Sequence, residues 1–405
     1  MEDFYFTGGN STGPLLCTIS GRYYCKDFRT IPDPTLSSLK RGTGGRSSFN
    51  GNVVTVFGAT GFVGRALCNH LGKRGAQMII PYRCDSDDLI LKGLKLTGDL
   101  GQVLFQPFDL RDPLSIHKAV KYSNVVVNLI GRFFETKNFD HFSVHVKGAK
   151  DIAKACKEHN VERLIHVSAL NVTENPQKYF LRKNNYYAMK LKGEEAVLNE
   201  FPDATIIRPS CVYGRLDHFL WSLLYPLRRR GQIIPLYAKG EKTIKQPVYI
   251  KDLVIGVINA INDFDTRGKI YQAVGPERYY LSDIATYCSQ ILQKEIVQRK
   301  LTCDIKYDIA FILKHILKNQ IVGYFYSHPN YGVNLDYIEI ESTTDVVQSN
   351  LPTLRELGVP LSKFEEMVPS IILPSFLHKP YQTRSLQSYC AADSLSNKEV
   401  KTYSF

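Results

Sequence analysis

Short apolar runs alternate with amphipathic stretches from residue 52 onward. The run Val53–Phe57 is apolar and β-branched, which predicts a strand buried on both faces of a sheet. Apolar residues then recur at helical spacing from Phe62 to Leu71. The same two patterns predict strands at 77–82, 103–108, 124–130, 163–168 and 204–208, and helices at 112–120, 139–159 and 186–199. Because alternating strands and helices build right-handed βαβ units, we predict an α/β fold with a doubly wound, Rossmann-type parallel sheet.

The alternation loosens after residue 210, where the patterned stretches become short and irregular. Helical spacing is found at 216–230, 253–261 and 282–293, extended runs at 243–249 and 270–274, and a short helical turn with a glycine stop at 353–358. We predict four parts, which are an N-terminal extension at 1–50, an NAD(P)-binding Rossmann domain at 51–275, a smaller C-terminal α/β subdomain at 276–377 and a polar tail at 378–405. In the extension, Arg and Lys residues favour a targeting segment, whereas Glu2 and Asp3 argue against one.

Composition narrows the class of protein. With 44% hydrophobic and 22% charged residues among 405, the chain is expected to be globular rather than intrinsically disordered. It carries 51 Lys and Arg against 39 Asp and Glu, a net charge of +12, which favours an acidic assembly, an anionic membrane surface or nucleic acid as partner. The apolar segment 309–326 is interrupted by Lys and His, so we do not expect it to cross a membrane. Nine dispersed Cys without a CxxC pair, and one His141–His145 pair without a third ligand, predict reduced thiols and no metal site.

A glycine-rich turn carries the first functional signal. Gly58, Gly61 and Gly64 follow the first strand and open the first helix, and this placement makes the pattern indicate a dinucleotide site. Gly58 permits a tight turn, Gly61 lets the backbone approach a pyrophosphate, and Gly64 lets the helix pack against the strand. The helix N-terminus adds free N–H groups and a partial positive charge. Within this turn we predict cofactor contacts at Gly58, Thr60, Gly61, Phe62, Val63 and Gly64.

The end of the second strand indicates which dinucleotide binds. Arg83 lies about 20 residues after Gly64, where an NAD site places an acid for the ribose 2′-hydroxyl, and its guanidinium suits a 2′-phosphate instead. Asp85 follows and could pair with Arg83, so NAD(H) stays the alternative to NADP(H). Asp109 is a candidate for the adenine edge, and Gly131 lets the chain pass close to the cofactor. Further cofactor contacts are predicted at Leu110, Ile130, Lys190 and Pro209.

The candidate catalytic residues are Tyr186 and Lys190, which form a YxxxK pattern on one face of a helix. The tyrosine would exchange a proton with a carbonyl or hydroxyl group, and Lys190 one turn away is expected to lower the tyrosine pKa from about 10. A hydroxyl is also needed to polarise the substrate. Ser168 ends the fifth strand, but Ala169 and Leu170 follow it, so we expect a vestigial catalytic set. The alternative is that Tyr186 and Lys190 are ordinary residues of an amphipathic helix.

Several motifs carry a resemblance to known families. The chain resembles the extended and atypical short-chain dehydrogenases in 58–64 (GATGFVG), in the YxxxK pattern and in 208–214 (RPSCVYG). It resembles more narrowly the short-chain-dehydrogenase-like accessory subunit of mitochondrial NADH:ubiquinone oxidoreductase (complex I), of the alpha subcomplex subunit 9 type, in 124–132 (NVVVNLIGR), 135–139 (ETKNF) and 245–249 (KQPVY). No dehydrogenase chemistry needs ETKNF or KQPVY, so these two stretches are the more specific ones.

The resemblance implies a non-catalytic accessory subunit of complex I that holds NADP(H) and supports the assembly and stability of the complex. It further implies a peripheral position on the matrix side of the mitochondrial inner membrane, with other complex I subunits as partners. The net charge adds anionic inner-membrane lipid as a candidate partner, with 228–230 and 309–326 as candidate contact surfaces. Nucleic acid is not expected as a partner, because no RNA-binding motif is found. The alternative function is an active NADP-dependent short-chain reductase or epimerase acting on a small or lipid-like substrate.

Overall fold

A parallel sheet with helices on both faces forms the centre of the protein. The computed structural model describes residues 50–83, 88–99, 101–136, 138–176, 185–224, 234–291, 302–304 and 335–376. Up to residue 209 the elements are β1 (Val53–Phe57), α1 (Phe62–Lys73), β2 (Gln77–Tyr82), α2 (Leu89–Lys95), β3 (Val103–Pro107), α3 (Pro113–Val120), β4 (Val125–Asn128), a π-helical segment (Ser143–Lys147) that continues into α4 (Gly148–Glu158), β5 (Arg163–Val167), α5 (Tyr186–Glu200) and β6 (Thr205–Pro209). Beyond it they are β7 (Val212–Tyr213), α6 (Phe219–Leu224), β8 (Ile234–Leu236), β9 (Ile244–Lys245), β10 (Val248–Tyr249), α7 (Ile250–Asn262), β11 (Ile270–Ala273), β12 (Tyr279–Tyr280), α8 (Leu281–Ile291), β13 (Thr302–Asp304), α9 (Leu335–Ser342) and α10 (Phe364–Phe376).

The central sheet has seven strands in the order β11-β6-β5-β4-β1-β2-β3. All of its neighbouring strands pair in parallel. The strand order reverses at β1, which lies between β4 and β2, so the carboxyl ends of β1 and β4 flank the crevice where such sheets bind ligands. The register pairs Phe57 with Asn128, which brings the chain leaving β1 level with the chain leaving β4. The predicted doubly wound Rossmann-type fold is confirmed.

Residues of the central strands alternate between two hydrophobic clusters. Val54 and Val56 of β1 pack into a cluster that also contains α1 and α7 side chains. Phe57 and, from β4, Val126 pack into the other cluster, against α3 and α4. Because successive strand residues point to opposite faces, this alternation covers both faces of the sheet and explains why the β1 run is apolar without interruption.

A third cluster lies outside the sheet and is built from α6, α8 and α10 together with Tyr213. Residues beyond 275 do not all belong to it. Leu354, Leu357 and Val359 pack into the same cluster as Val54, and Thr353 bridges to Gln272 of β11. Residues 354–359 therefore pack against the central sheet. The domain boundary at residue 275 stays a prediction.

Some predicted elements differ from the structure in extent. The helix predicted at 139–159 begins as the π-helical segment, against which α5 packs so closely that a Cβ at Gly193 would lie 2.2 Å from the His145 carbonyl oxygen. The helix predicted from residue 216 is wrong at its start, because Leu216 has a φ of +67° and α6 begins at Phe219. The sequence patterns missed α2, α9 and α10. Residues 1–49 of the extension, Asp85, the segments 228–230 and 309–326 and the tail at 378–405 lie outside the described residues.

Candidate functional site

The glycine turn joins β1 to α1 at the point where the strand order reverses. Gly58 has a φ of +82°, and a Cβ on it would lie 3.1 Å from backbone atoms of Leu129, so β1 turns directly against the chain that leaves β4. The Gly61 amide donates to the Gly58 carbonyl oxygen at 3.0 Å. Helix α1 begins immediately after Gly61 with no capping side chain and no acidic residue in its first turn. Its first N–H groups therefore lack a side-chain partner, an arrangement that favours an anion.

Gly61 and Gly64 lack a side chain for different structural reasons. A Cβ at Gly64 would lie 2.4 Å from the Gly58 carbonyl oxygen and 2.6 Å from the Ala59 Cα, and neither backbone atom can move aside cheaply. A Cβ at Gly61 would approach only the Gly58 oxygen, at 3.2 Å, and the Gly61 φ of −72° suits any residue. The packing of the fold thus requires Gly64, whereas the missing side chain of Gly61 mainly leaves space beside the start of the helix.

Two arginines lie over one buried aromatic ring beside the ends of β2 and β3. The guanidinium carbon of Arg83 is 5.6 Å from the centre of the Phe139 ring, and that of Arg111 is 5.1 Å from the same centre. Asp109 pairs with the Arg111 guanidinium at 3.2 Å and accepts the Arg111 amide at 2.9 Å. Both arginines are exposed, so two guanidiniums lie over one ring at the surface, and one of them is already paired with Asp109. The sequence analysis did not predict a role for Arg111, although this residue lies only two positions after Asp109, which was predicted as a site residue.

Lys190 of α5 lies at the carboxyl end of β5, next to the chain that leaves β4. Its Nζ donates to the Val167 carbonyl oxygen at 3.1 Å and would lie 3.4 Å from a Cβ on Gly131. Burial lowers the pKa of Lys190 from 10.5 to about 8, although Glu194 opposes the shift. The YxxxK lysine and the glycine after β4 are thus brought together, as expected if both serve one site.

Three buried polar atoms near Lys190 have no hydrogen-bond partner in the described part of the chain. They are Ser168 Oγ, His145 Nδ1 and His166 Nε2, in side chains that are at most 5% exposed. Burial, followed by the charge of Lys190, lowers the pKa of His166 to about 3 and that of His145 well below 6.5. Both histidines are therefore neutral near pH 7. Buried polar atoms normally find a partner, so this group favours a polar ligand or water at this place.

Tyr186 lies inside a cluster of aromatic rings. Its ring centre is 5.3 Å from those of His145 and Tyr187, 5.7 Å from that of Phe133 and 5.9 Å from that of His141. The residue is 6% exposed. Burial raises the pKa of Tyr186 above 10, and the neighbouring Tyr187 raises it further. The pKa of Tyr186 is therefore shifted in the direction opposite to the expected one, because desolvation of the phenol dominates.

Helix α9 packs against this cluster. Its Tyr337 ring centre is 5.5 Å from that of Phe133, and Tyr187 donates its hydroxyl to the Ile340 carbonyl oxygen at 3.4 Å. Ile340 packs with Ala169 and Tyr186. The position after Ser168, where a second hydroxyl would be needed, is thus an alanine within the apolar cluster against which Ile340 packs. Apolar side chains fill the space beside the Tyr186 ring.

A buried ion pair holds the end of α9 in place. Lys245 and Asp345 are each 1% exposed, and their Nζ and Oδ1 atoms are 3.5 Å apart. Asp345 also accepts from the Asn171 side chain and from the Gln246 amide, both at 2.9 Å. Burial lowers the pKa of Lys245, but Asp345 and the other groups around the ammonium together raise it by more, so the lysine stays protonated. The lysine of the KQPVY stretch therefore fixes the segment that covers Tyr186.

The remaining predicted cofactor residues line the same edge of the sheet. Ile130 donates its amide to Asn128 Oδ1 at 3.0 Å, and Asn128 Nδ2 lies 3.2 Å from His166 Nδ1. Pro209 ends β6 and accepts the Leu170 amide at 2.9 Å. The side chain of Leu110 packs against Gly148, within 2.7 Å of a Cβ placed there. Thr60, Phe62 and Val63 are half-buried at the start of α1. Sequence analysis missed His166, whose hydrogen-bond partner Asn128 comes from the neighbouring strand β4.

No group of three His, Cys, Asp or Glu side chains able to hold a metal ion occurs among the residues that the structure describes. The His141 and His145 rings stack with their centres 5.6 Å apart. Within the same described residues, none of the helices is long and apolar enough to span a bilayer.

Comparisons with known proteins identify the class. The family model of the 3-beta hydroxysteroid dehydrogenase/isomerase family matches residues 55–307, and the chain belongs to this family. Its fold is similar to that of dTDP-glucose 4,6-dehydratase from Bacillus anthracis, which was solved in complex with NAD, with a TM-score of 0.57 at 13% identity over 81% of this chain and 97% of that one.

Relatives at higher identity define a narrower group. The chain is 43% identical over 79% of its length, and 80% of the relative's, to the mouse (Mus musculus) mitochondrial NADH dehydrogenase [ubiquinone] 1 alpha subcomplex subunit 9. It is 34% identical, over 82% of both chains, to the mitochondrial NADH-ubiquinone oxidoreductase 40 kDa subunit of Neurospora crassa. Within the larger family, the chain therefore belongs to the alpha subcomplex subunit 9 family, as its motifs predicted.

Proposed function

We propose that this chain is an accessory subunit of mitochondrial complex I that binds NADP(H), has no turnover of its own, and supports the assembly and stability of the complex. The names of its relatives supply the complex and the organelle. One structural observation supports nucleotide binding without turnover. The glycine turn is open beside the start of α1, whereas apolar and aromatic side chains enclose Tyr186.

The residues at the edge of the sheet fit a dinucleotide. In our proposal Gly58, Thr60, Gly61, Phe62, Val63 and Gly64 hold the pyrophosphate, and Asp109 and Leu110 line the adenine side. Ile130, Gly131, Lys190 and Pro209 line the nicotinamide half. The polar atoms without partners near Lys190 support this assignment, because a sugar hydroxyl or carboxamide satisfies such atoms. A bound nicotinamide cofactor would supply hydride chemistry, for which this chain lacks a complete set of partners.

The preference for NADP(H) over NAD(H) rests on Arg83 and Arg111. Two guanidiniums over the same Phe139 ring place two positive charges near the end of β2, where a 2′-phosphate is bound in this fold. A charge-assisted hydrogen bond contributes about 1.5–3 kcal/mol. Asp109 holds Arg111 by an ion pair, so the second arginine is already oriented before any ligand binds.

The absence of turnover rests on the surroundings of Tyr186. A proton donor or acceptor works best when its pKa lies near the operating pH, and burial moves the Tyr186 pKa away from that range. Ala169 and Leu170 supply no hydroxyl after Ser168, and loss of one such donor typically costs about 10²–10³ in rate. In our proposal Tyr186, Lys190 and Ser168 are therefore vestigial as a catalytic set, while Lys190 keeps a binding role.

The reductase or epimerase remains the second candidate because the catalytic residues are retained. Tyr186 and Lys190 share one helix face at the end of β5, and Ser168 Oγ has no partner among the described residues. A substrate that displaced Ile340 from the cluster of Ala169 and Tyr186 would reach these groups. Steady oxidation of NADPH that depends on a small carbonyl compound and is lost in Tyr186→Phe would favour this reading.

We place the chain on the matrix side of the mitochondrial inner membrane as a peripheral subunit, with other complex I subunits as partners. The net charge of +12 supports contact with acidic subunits and anionic lipid. The test is native electrophoresis of mitochondria, followed by mass spectrometry of the band and identification of the released nucleotide. We expect the chain in the complex I band together with NADP(H). A chain that runs alone, or one that releases NAD(H), contradicts the proposal.

A further inference from the structure

His145 is held by a backbone contact that fixes the position of its ring proton. Its Nε2 lies 3.0 Å from the carbonyl oxygen of Arg132. A carbonyl oxygen only accepts hydrogen bonds, so Nε2 carries the proton of the neutral ring and Nδ1 is an acceptor. This Nδ1 is buried and has no hydrogen-bond partner in the described part of the chain. His145 therefore needs a group that donates a hydrogen bond to it.

His166 is held so that its second ring nitrogen has the opposite role. The Ile130 amide donates to the Asn128 side chain at 3.0 Å, so the atom that it contacts is the oxygen Oδ1. The nitrogen Nδ2 of Asn128 therefore faces His166 and donates to its Nδ1 over 3.2 Å. A neutral ring that accepts at Nδ1 carries its proton on Nε2. His166 Nε2, which is buried without a partner among the described residues, therefore needs an acceptor.

Lys190 adds a second donor to this group. Its ammonium carries three N–H groups, and the Val167 carbonyl oxygen accepts one of them at 3.1 Å. Glu194, one turn further along α5, is bound by the Arg208 guanidinium through hydrogen bonds of 2.6, 3.1 and 3.2 Å. Because this carboxylate is already engaged, Lys190 keeps N–H groups for another acceptor.

These side chains meet beside Gly131. A Cβ on Gly131 would lie 3.4 Å from Lys190 Nζ and 3.6 Å from His145 Cε1, in ordinary contact with both side chains. Burial lowers the pKa of both histidines and the charge of Lys190 lowers it further, so His166 belongs to the same group. His145 comes from the π-helical segment, a rare geometry that is frequent at functional sites. We call the space enclosed by His145, His166 and Lys190 the two-histidine site.

We propose that the two-histidine site binds one neutral hydroxyl group, which donates to His145 and accepts from His166 and Lys190. A hydroxyl oxygen accepts two hydrogen bonds and donates one, the same numbers that these three side chains require. A carboxylate has no proton for His145, an ammonium group cannot accept from His166, and a carboxamide would bury a second N–H group.

Water and a sugar of the dinucleotide are the two sources of such a hydroxyl group. A water molecule could give its second proton to Ser168 Oγ, which is likewise buried and without a partner in the chain as far as it is described. A sugar hydroxyl would take the same place when a nucleotide is bound, and this second form rests on the proposed function. The first form does not depend on it.

Crystal structures of the purified full-length chain, without and with NADPH, test the two-histidine site directly. We expect one oxygen within about 3.2 Å of His145 Nδ1, His166 Nε2 and Lys190 Nζ in both structures. A water in both structures identifies solvent as the source, whereas a sugar hydroxyl in place of that water identifies the nucleotide, and either result supports the site. A carboxamide or an anion at these atoms, or no oxygen there, overturns it.

Nitrogen NMR of a chain labelled at histidine tests the positions of the ring protons. At pH 7 we expect His145 and His166 to be neutral, each with its proton on Nε2, and the substitutions His145→Phe and His166→Phe assign the two signals. A proton on Nδ1 of either ring reverses the required pattern and overturns the site. A merely structural role for the histidines makes no such demand on both rings.

Nucleotide affinity separates the two sources in solution. If a sugar hydroxyl fills the site, His145→Phe should weaken NADPH binding about tenfold in calorimetry, because one hydrogen bond is lost. If water fills it, the affinity should stay at the wild-type value and the crystallographic water should be absent from the variant. The control is His141→Phe, which changes a neighbouring buried ring, 6% exposed, and should keep both the affinity and the water. A water that persists in His145→Phe overturns the site.

The outcomes also separate this inference from the proposed function. A chain that binds no dinucleotide but holds a water at these atoms overturns NADP(H) binding and supports the two-histidine site. A chain that binds NADPH and has no oxygen at these atoms overturns the site alone. If the phenylalanine variants fail to fold, the oxygen in the wild-type crystals and the number of wild-type histidines protonated on Nε2 still decide.

Discussion

The turn after β1 and the surroundings of Tyr186 lie at the same edge of one sheet but are built in opposite ways. At the turn, Gly58, Gly61 and Gly64 bring bare backbone and an uncapped helix start to the crevice. Around Tyr186, rings and aliphatic side chains from several segments fill the equivalent space. A site that binds needs an accessible surface, whereas a site that reacts also needs space for a second molecule. The contrast supports the proposal that this chain binds a nucleotide without turnover.

We expect the largest effect from a substitution that disrupts the glycine turn itself. In Gly64→Val the new Cβ overlaps the backbone of Gly58 and Ala59, so α1 cannot pack against β1. We expect destabilisation of about 3 kcal/mol or more, enough to remove most folded protein. Urea titration followed by circular dichroism measures this, with Gly61→Ala as the matched control. A folded Gly64→Val protein of wild-type stability would contradict the packing argument.

A second change separates binding from folding. Gly61→Val should leave the fold nearly intact, because its Cβ meets only one backbone oxygen at 3.2 Å, but the branched side chain occupies the space beside the start of α1. At NADPH concentrations of 1,000 times Kd the wild type should gain about 4 kcal/mol, and the variant should gain almost nothing. Thermal melts with and without NADPH give both numbers. An undiminished gain in Gly61→Val would place the dinucleotide elsewhere.

The choice between NADPH and NADH tests the two arginines. Removing either Arg83 or Arg111 by substitution with Gln should weaken NADPH binding by about 1.5–3 kcal/mol and leave NADH binding nearly unchanged. Calorimetry with both nucleotides measures the ratio. Arg74→Gln is a suitable control, because this arginine is exposed at the other end of α1. If the wild type binds both nucleotides equally, the role given to Arg83 and Arg111 is wrong.

Lys190 lies between the glycine turn and the surroundings of Tyr186. The lowered pKa of its buried ammonium group predicts that the stability of the protein depends on pH. The shift of its pKa from 10.5 to about 8 corresponds to about 3 kcal/mol. Between pH 8 and 10.5, Lys190 is protonated in the unfolded state but mostly deprotonated in the folded state. The stability of the ligand-free wild type should therefore rise as the pH increases from 8 to 10. Lys190→Met removes the cost of about 3 kcal/mol but also loses the hydrogen bond to the Val167 carbonyl oxygen, which contributes about 1 kcal/mol. The variant should therefore be about 2 kcal/mol more stable than the wild type at pH 7. Denaturant titrations at pH 7 and 10 should show that this advantage disappears at the higher pH.

The smallest expected effect is the sharpest test of the comparison. In Tyr186→Phe, NADPH consumption with small aldehydes and ketones should stay at the background level of the wild type, because the wild-type phenol is enclosed. Stability should change by less than about 1.5 kcal/mol, the usual contribution of one hydrogen bond. A clear wild-type turnover that vanishes in this variant would make the chain an enzyme.

The sequence predicted what depends on neighbours along the chain. The strand at 77–82 was predicted with its observed ends, and the position of Gly58 between a buried strand and a helix indicated the turn, because both signals are local. The group of Arg111 and Phe139 was missed because it joins loops that follow different strands. The cover over Tyr186 was missed for the same reason, since α9 begins about 150 residues later. Helix α2 was missed because its leucines lie on two sides and show no single apolar face.

The bond between Lys245 and Asp345 has a consequence for the order in which the protein matures. Asp345 lies 174 positions after its partner Asn171 and 100 after Lys245. A chain is synthesised from its N-terminus, and early segments fold while later ones are still missing. The nucleotide turn can therefore form, and acquire its ligand, well before Asp345 is available to close the cover over Tyr186. We expect a nascent chain that stops before this residue to hold nucleotide while its Tyr186 region is still sensitive to protease.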